Sequence, residues 1–465
     1  FDNKIEIWAP NLNYVLRGTH NWLKDVVTHE YAHIISLGKA MKFSRRVPAI
    51  WAQGFGYEKE RREDVVRGFP NIIISYPWSG VTIPAWFAEG VAQFQAPNKR
   101  YDYRDSHREM ILRDRVMTGE LLDLNEMDVF GKNSVGNESA YNLGFAFSRY
   151  LAETYGDDVL PKLAGKASSP FTFSFRGVLK SVTGVDAKQL HQNWEESMLN
   201  DYTARLASIR ENEAKGSSFV SEGIGNMHPT LSPDGKRVAY LATGNADFLS
   251  QNKLVIENLD DNKKKTITGR VTRSMSWSPD GRYLTYAKVT PVEGTLSLYN
   301  DIYIYDTKEG KEHRLTRALR ARHPDFSQDG KKLVCVIESD AVTNLFTIEI
   351  ADVASVLKDG DYTDAYYDFS AHRIVPEDEA IVPAEDPKGK RHHYFRKVGY
   401  KGKLTQLTTL RDGRQFYHPR WSPDDSYLVF DTSTKFGRDI AKIPADGGEL
   451  EFILNEAYSA RGSLA

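Results

Sequence analysis

A four-residue turn recurs along the second half of this chain, and its spacing limits the fold more than any other feature. Ser232-Pro-Asp-Gly235, Ser278-Pro-Asp-Gly281, Ser327-Gln-Asp-Gly330 and Ser422-Pro-Asp-Asp425 stand in similar settings. Their starts are 46, 49 and 95 positions apart. The last interval is close to twice the unit, so one copy is expected to have degenerated in between. Each turn follows an aromatic or apolar residue and precedes an alternating run, as in Arg237-Val-Ala-Tyr-Leu241 and Tyr283-Leu-Thr-Tyr286, the pattern of a half-buried strand. Pro fixes φ, Asp bonds its own backbone and Gly takes the left-handed position, so these aspartates read as turn residues. A repeat of about 45 residues built from short strands is a propeller blade. A further turn is due at about position 468, one unit on, so the propeller is expected to be incomplete in this chain, with an unpaired blade edge.

The first half is different in kind. His29-Glu30-Tyr-Ala-His33 places two imidazoles one helical turn apart, on nearly the same face, where both reach one zinc ion. Glu30 lies about 100° around the helix from His29, which sets its carboxylate beside the metal as a general base for water. Thr19 or Asn21 can cap this helix, Trp22, Val26, Val27, Ile34 and Leu37 give it apolar faces, and Gly38 can end it. A catalytic zinc needs a third protein ligand and an open fourth position.

Lys39 occupies the place where a third histidine would follow in the metzincin pattern. Glu58, Glu60 and Glu63 fall in a charged run that reads as a solvated face. Glu89 is set among apolar and small neighbours in Ile83-Pro-Ala-Trp-Phe-Ala-Glu-Gly-Val-Ala-Gln-Phe94, with Pro84 suited to a helix start. A carboxylate there is costly to bury unless paired or metal-bound; the alternative is a salt bridge at a helix surface. Gly90 would let another backbone approach, and Gln93, one turn on, is placed to hydrogen-bond a ligand histidine.

These segments resemble the gluzincin metallopeptidases, most closely the bacterial peptidase MA-like domains, over roughly residues 1–205. The resemblance rests on HExxH followed by W-x-x-E-G-x-A. It implies His29, His33 and Glu89 as ligands of one catalytic Zn2+, with Glu30 as base. Ala140-Tyr-Asn-Leu-Gly-Phe-Ala-Phe-Ser-Arg-Tyr-Leu151 is similar to the Y-x-x-G segment of aminopeptidase N-type gluzincins, which implies Tyr141 as the oxyanion donor; a core tyrosine is the alternative. The stretch from Tyr155 to Trp194 resembles the end of such domains. The 56 positions from His33 to Glu89 exceed the aminopeptidase interval, so residues 39–83 are expected to loop out. No G-x-M-E-N segment precedes the helix, and an aminopeptidase assignment is not licensed. The downstream repeats are similar to those of TolB-like, WD40-like propellers.

A break near residue 215 divides the chain into a mainly α, zincin-type domain over 1–214, a linker over 215–225 and an all-β propeller over 226–465. A helical tail from Trp194 to about Asn212 closes the first part. The chain of 465 residues is 40% hydrophobic, enough for two cores, and its net charge of −2 argues against a nucleic-acid scaffold. No apolar run reaches the length of a membrane helix. The single Cys335 sits in a strand-like alternation and reads as a buried small hydrophobe. Asp359–Asp364 reads as an acidic loop without EF-hand spacing, and Lys388–His393 as an exposed basic insertion. The chain opens at Phe1, without Met or signal peptide, and reads as a mature form or a fragment.

The expected function is hydrolysis of peptide bonds by a zinc-dependent metallopeptidase, its propeller recognising a polypeptide substrate or protein partner. The alternative is a propeller-based binding protein with a degenerate peptidase domain. Neither nucleic acid nor a membrane span enters either reading, and the family resemblance implies a periplasmic or secreted location.

Overall fold

The computed structural model describes residues 22–43, 51–56, 72–77, 83–94, 106–128, 134–377 and 395–455, apart from short loop positions at 224, 247–248, 293–294, 296, 340–341, 359–360, 370, 372 and 435–436. The chain forms two compact units that divide between Phe219 and Val220, inside the expected linker. Among the described residues no helix is long and apolar enough to cross a membrane.

The first unit is helical. Helix α1 spans Trp22–Ala40, α2 Ala85–Phe94, α3 Ser106–Thr118, α4 Ser134–Tyr155, α5 Val159–Ala167, α6 Phe175–Thr183 and α7 Ala187–Glu211. Gly38 does not end α1, which runs on to Ala40, and its backbone is not in the left-handed region. Residues 39–83 are not simply looped out either, because strands β1 (Trp51–Gly56) and β2 (Ile72–Pro77) pair antiparallel within them. Pro84 starts α2 as expected, its carbonyl accepting from the N–H groups of Phe87 and Ala88. The core is aromatic: Phe147 lies 5.1 Å from Trp86 and 4.9 Å from Trp194, and Phe87 lies 4.7 Å from Phe175. Each such ring contributes on the order of 1.5–3 kcal/mol by leaving water, and together they tie α2 to α4, α6 and α7. Tyr141 stands two turns inside α4.

The second unit consists of four-stranded antiparallel sheets. The strands are β3 (Asn226–Leu231), β4 (Arg237–Ala242), β5 (Lys253–Asn258), β6 (Lys264–Gly269), β7 (Val271–Trp277), β8 (Tyr283–Pro291), β9 (Leu298–Asp306), β10 (Lys311–Arg314), β11 (Thr316–Arg317), β12 (Ala321–Phe326), β13 (Lys332–Ser339), β14 (Val342–Glu349), β15 (Thr363–Asp368), β16 (Arg373–Pro376), β17 (Phe395–Tyr400), β18 (Lys403–Gln406), β19 (Gln415–Trp421), β20 (Tyr427–Thr434), β21 (Gly437–Pro444) and β22 (Glu451–Leu454). Four sheets are blades in sequence order: β3-β4-β5-β6, β7-β8-β9-β10, β12-β13-β14-β18 and β19-β20-β21-β22. Each recurring turn joins a blade's first and second strands. Gly235, Gly281 and Gly330 there have φ of 67°, 68° and 70°, and Asp425 adopts 56°. Cys335 is buried in β13.

The expected degenerate copy is not a blade between the third and the fourth. Residues after β14 form helix α8 (Val353–Lys358) and strands β15–β17, which join β11 in a sheet of order β11-β17-β15-β16 before β18 completes the third blade. The long interval is therefore an insertion inside one blade. Direct contact between the third and fourth blades bears this out. The indole N–H of Trp421 donates to the Asp325 carbonyl at 3.2 Å, as that of Trp277 donates to the Thr230 carbonyl at 3.1 Å one blade pair earlier. Lys388–His393 and the expected turn beyond Ala465 lie outside the described residues.

Candidate metal centre

Three side chains from two helices of the first unit meet at one point. His29 Nε2 lies 3.1 Å from Glu89 Oε2, His33 Nε2 lies 3.2 Å from the same oxygen, and the two ring nitrogens are 3.1 Å apart. Helix α1 supplies the histidines because residues four apart share a face. Helix α2 supplies Glu89 because Gly90 lies against the backbone of α4: a Cβ on Gly90 would sit 2.2 Å from the Gly144 carbonyl oxygen, and one on Gly144 2.1 Å from that of Trp86. The close approach expected at Gly90 is thus made by the glycine of the Y-x-x-G segment.

That crossing also brings Tyr141 to the site, its ring centroid 6.1 Å from that of His29. Glu30 is half-buried on α1, and its carboxylate makes no hydrogen bond or ion pair among the described residues. Gln93 makes no hydrogen bond to His29 or His33 among the described residues. It is buried one turn beyond Glu89, where its amide oxygen accepts from the Arg108 guanidinium of α3. His33 Nδ1 is buried without a partner among the described residues. Glu58, Glu60 and Glu63 lie outside the described residues.

The triangle fits a tetrahedral metal. With bonds of about 2.0–2.1 Å, the ligand-to-ligand edge around zinc is about 3.3–3.4 Å, within a few tenths of all three sides. Two imidazoles and a carboxylate are also a zinc donor set. Without a cation the triangle cannot satisfy all three contacts: rings of opposite tautomer share an N–H···N bond but set one imidazole lone pair against the carboxylate oxygen, and two Nε2–H rings oppose their hydrogens. Burial raises the Glu89 carboxyl, but hydrogen bonds and charge from His29 and His33 outweigh it and bring it down to about 2, so the oxygen facing the histidines is anionic. The side chains retain 14%, 17% and 14% exposure for His29, His33 and Glu89, which leaves the cluster reachable from water. Among the described residues it is the sole group of three such ligands.

A second cluster escaped the sequence reading. His228, Ser274, His323 and His418 occupy the same bulged position on the first strand of the four blades, each with positive φ. His323 accepts or donates at Ser274 Oγ over 2.9 Å and lies 4.4 Å, centroid to centroid, from His418. Its signal is a His-Pro pair four positions before the turn serine in three of the repeats.

A family profile described as PD40, TolB beta propeller domain, matches residues 225–463. The Tol-Pal system protein TolB of Francisella tularensis subsp. holarctica is 26% identical over 230 residues, covering 47% of this chain and 50% of that protein. Dipeptidyl-peptidase 5 of Porphyromonas gingivalis is 36% identical over 86 residues, covering 17% of this chain and 13% of that protein. Among solved structures, a putative TolB from Agrobacterium tumefaciens aligns at a TM-score of 0.32 and 16% identity, over 50% of this chain and 67% of that one. The chain thus spans half or less of the curated relatives named here.

Proposed function

Because this chain belongs to the TolB beta-propeller family through residues 225–463, we propose that it joins a substrate- or partner-recognising propeller to a zinc-dependent peptidase unit of the gluzincin type. The observation that carries the reading is the convergence of His29, His33 and Glu89 within 3.1–3.2 Å of one another. Zinc held there would supply Lewis-acid polarisation of a peptide carbonyl and make water more acidic.

The chain's own groups have defined tasks in this reading. Glu30, next to His29 in the chain, takes a proton from the attacking water and returns it to the leaving nitrogen. Tyr141 donates a hydrogen bond to the carbonyl oxygen as negative charge develops on it. Gly90 and Gly144 hold α2 against α4, so that ligand and donor keep their spacing. Arg108 fixes Gln93 and with it the buried turn of α2 below Glu89. The family likeness supports a periplasmic or secreted location.

The second reading, a binding protein with an inactive helical unit, is favoured by the propeller being the region that the relatives share. Zinc content and casein turnover, with and without chelator, separate the two. The peptidase reading expects one zinc per chain and chelator-sensitive turnover. It also expects Glu89→Ala to weaken zinc binding by more than about 100-fold, while Glu58, Glu60 and Glu63 changed together leave it intact. Full zinc in Glu89→Ala at nanomolar free metal would remove Glu89 as a ligand.

A further inference from the structure

Two arginines in the propeller unit stand together with no ion pair to a carboxylate among the described residues. Arg396 lies on β17 opposite Tyr367 of β15. Its guanidinium is 5.2, 5.3 and 5.5 Å from the ring centroids of Tyr367, Phe369 and Tyr299. Arg320, just before β12, lies 4.2 Å from the Tyr299 centroid. All three guanidinium nitrogens of Arg396 and Nε of Arg320 are buried without a hydrogen-bond partner. Burial, and then the charge of Arg320, lower Arg396 to about 10.

Asp301, a carboxylate whose charge supports Arg396, is engaged elsewhere. It accepts from Arg314 Nη2 at 2.7 Å, Thr316 Oγ1 at 2.9 Å and the N–H groups of Ala318 and Leu319 at 3.1 Å. These bonds hold the connection in which Ala318 and Arg320 both have φ of 56°, a strained backbone that persists only where its surroundings impose it. Arg320 is thereby kept beside Tyr299.

A buried guanidinium with no anion is unfavourable, and aromatic faces offset only part of the cost. Arg320 also hydrogen-bonds the Tyr299 side chain, whereas the three guanidinium nitrogens of Arg396 stay without a partner. The partner that meets such a fork edge-on is planar and anionic. We propose that Arg396 and Arg320 form a carboxylate-binding site in the seam between the inserted sheet and the second blade. Tyr299 and Arg320 are only partly buried, which gives the seam its approach from solvent. The carboxylate belongs to a small organic acid or to the free C-terminus of a peptide, and the site is independent of the zinc reading.

The test is calorimetric titration and thermal melting of the full chain with sodium acetate, against sodium chloride and phosphate at equal ionic strength. A tripeptide with a free C-terminus and the same peptide amidated complete the set. Acetate should bind saturably and raise the propeller's melting temperature. Arg396→Gln and Arg320→Gln should each weaken it by about tenfold or more. Without ligand, Arg396→Gln should melt no lower than the parent. Silence of the amidated peptide with tight binding of the free acid would assign the site to chain termini, and equal binding of acetate would assign it to small acids. A matching response to chloride or phosphate, or undiminished acetate binding in Arg396→Gln, would overturn the proposal. Should that variant fail to fold, Arg320→Gln decides alone.

Discussion

Gly90 of α2 and Gly144 of α4 touch backbone to backbone, and neither position has room for a methyl group. Glu89 and Tyr141 stand next to this contact, one on each helix, so the distance between a proposed ligand and a proposed oxyanion donor is set by two missing side chains. Gly90→Ala must push the helices apart or shift the Gly144 carbonyl, and overpacking of this kind costs roughly 1–3 kcal/mol. We expect a lower melting temperature and a weaker zinc affinity together. Gly177 in α6 has nothing within 4 Å of a Cβ, so Gly177→Ala should be neutral or stabilising by up to about 1 kcal/mol with zinc unchanged. Unaltered zinc affinity in Gly90→Ala would mean that the crossing does not position the site.

Asp425 holds the left-handed place that glycine fills in the other three turns, with φ of 56°. Its carboxylate accepts from the N–H groups of Gln328 at 2.7 Å and Asp329 at 2.9 Å, in the turn of the preceding blade. Asp425→Gly relieves backbone strain but leaves two N–H donors to water. The charged hydrogen bonds outweigh the strain, and a net loss of about 1–2 kcal/mol is expected by urea denaturation. A gain in stability would reverse that ordering.

Burial, the Arg273 charge and His418 lower His228 to about 4, and burial followed by His418 and the neighbouring arginines lowers His323 strongly. An unfolded histidine titrates at about 6.5. As pH falls below that value the unfolded chain takes up protons that the folded propeller refuses, so stability is full above it and declines towards pH 4. With chelator present, the propeller melting temperature should fall between pH 7 and 4.5. It should fall less steeply in the paired variant His228→Asn, His323→Asn. Parallel slopes would exclude these imidazoles as the cause.

Tyr141→Phe separates catalysis from packing. An oxyanion donor lost with its hydroxyl costs roughly 10²–10³ in kcat, whereas a core ring keeps its apolar area and its stability within about 1 kcal/mol. Zinc content and KM should change little, because the bond strengthens only as charge develops. A fall of less than about fivefold in kcat, with zinc intact, would leave Tyr141 as a packing residue.

The meeting of His29, His33 and Glu89 was more legible than the topology around them. His29 and His33 share a helix, so their spacing is a local fact of α geometry, and Glu89 stands out as a carboxylate in an apolar segment. The pairing of Gln93 with Arg108 is not legible, because Arg108 comes from a helix whose orientation no local pattern states. The insertion in the third blade was misread because its length, added to one blade, imitates two blades; only strand order separates the cases. Nothing in sequence draws Arg320, Arg396 and Tyr299 together, since they lie on three separate segments of the unit.

The most direct measurement is peptide hydrolysis by Glu30→Gln beside the parent chain, each loaded with zinc to the same stoichiometry. Glutamine keeps the size of the side chain and the two histidines of α1, but it cannot accept the proton of water. The account predicts one zinc per chain in both proteins, chelator-sensitive turnover in the parent and none detectable in Glu30→Gln. Comparable turnover in the two, or no turnover in a fully zinc-loaded parent, would contradict it.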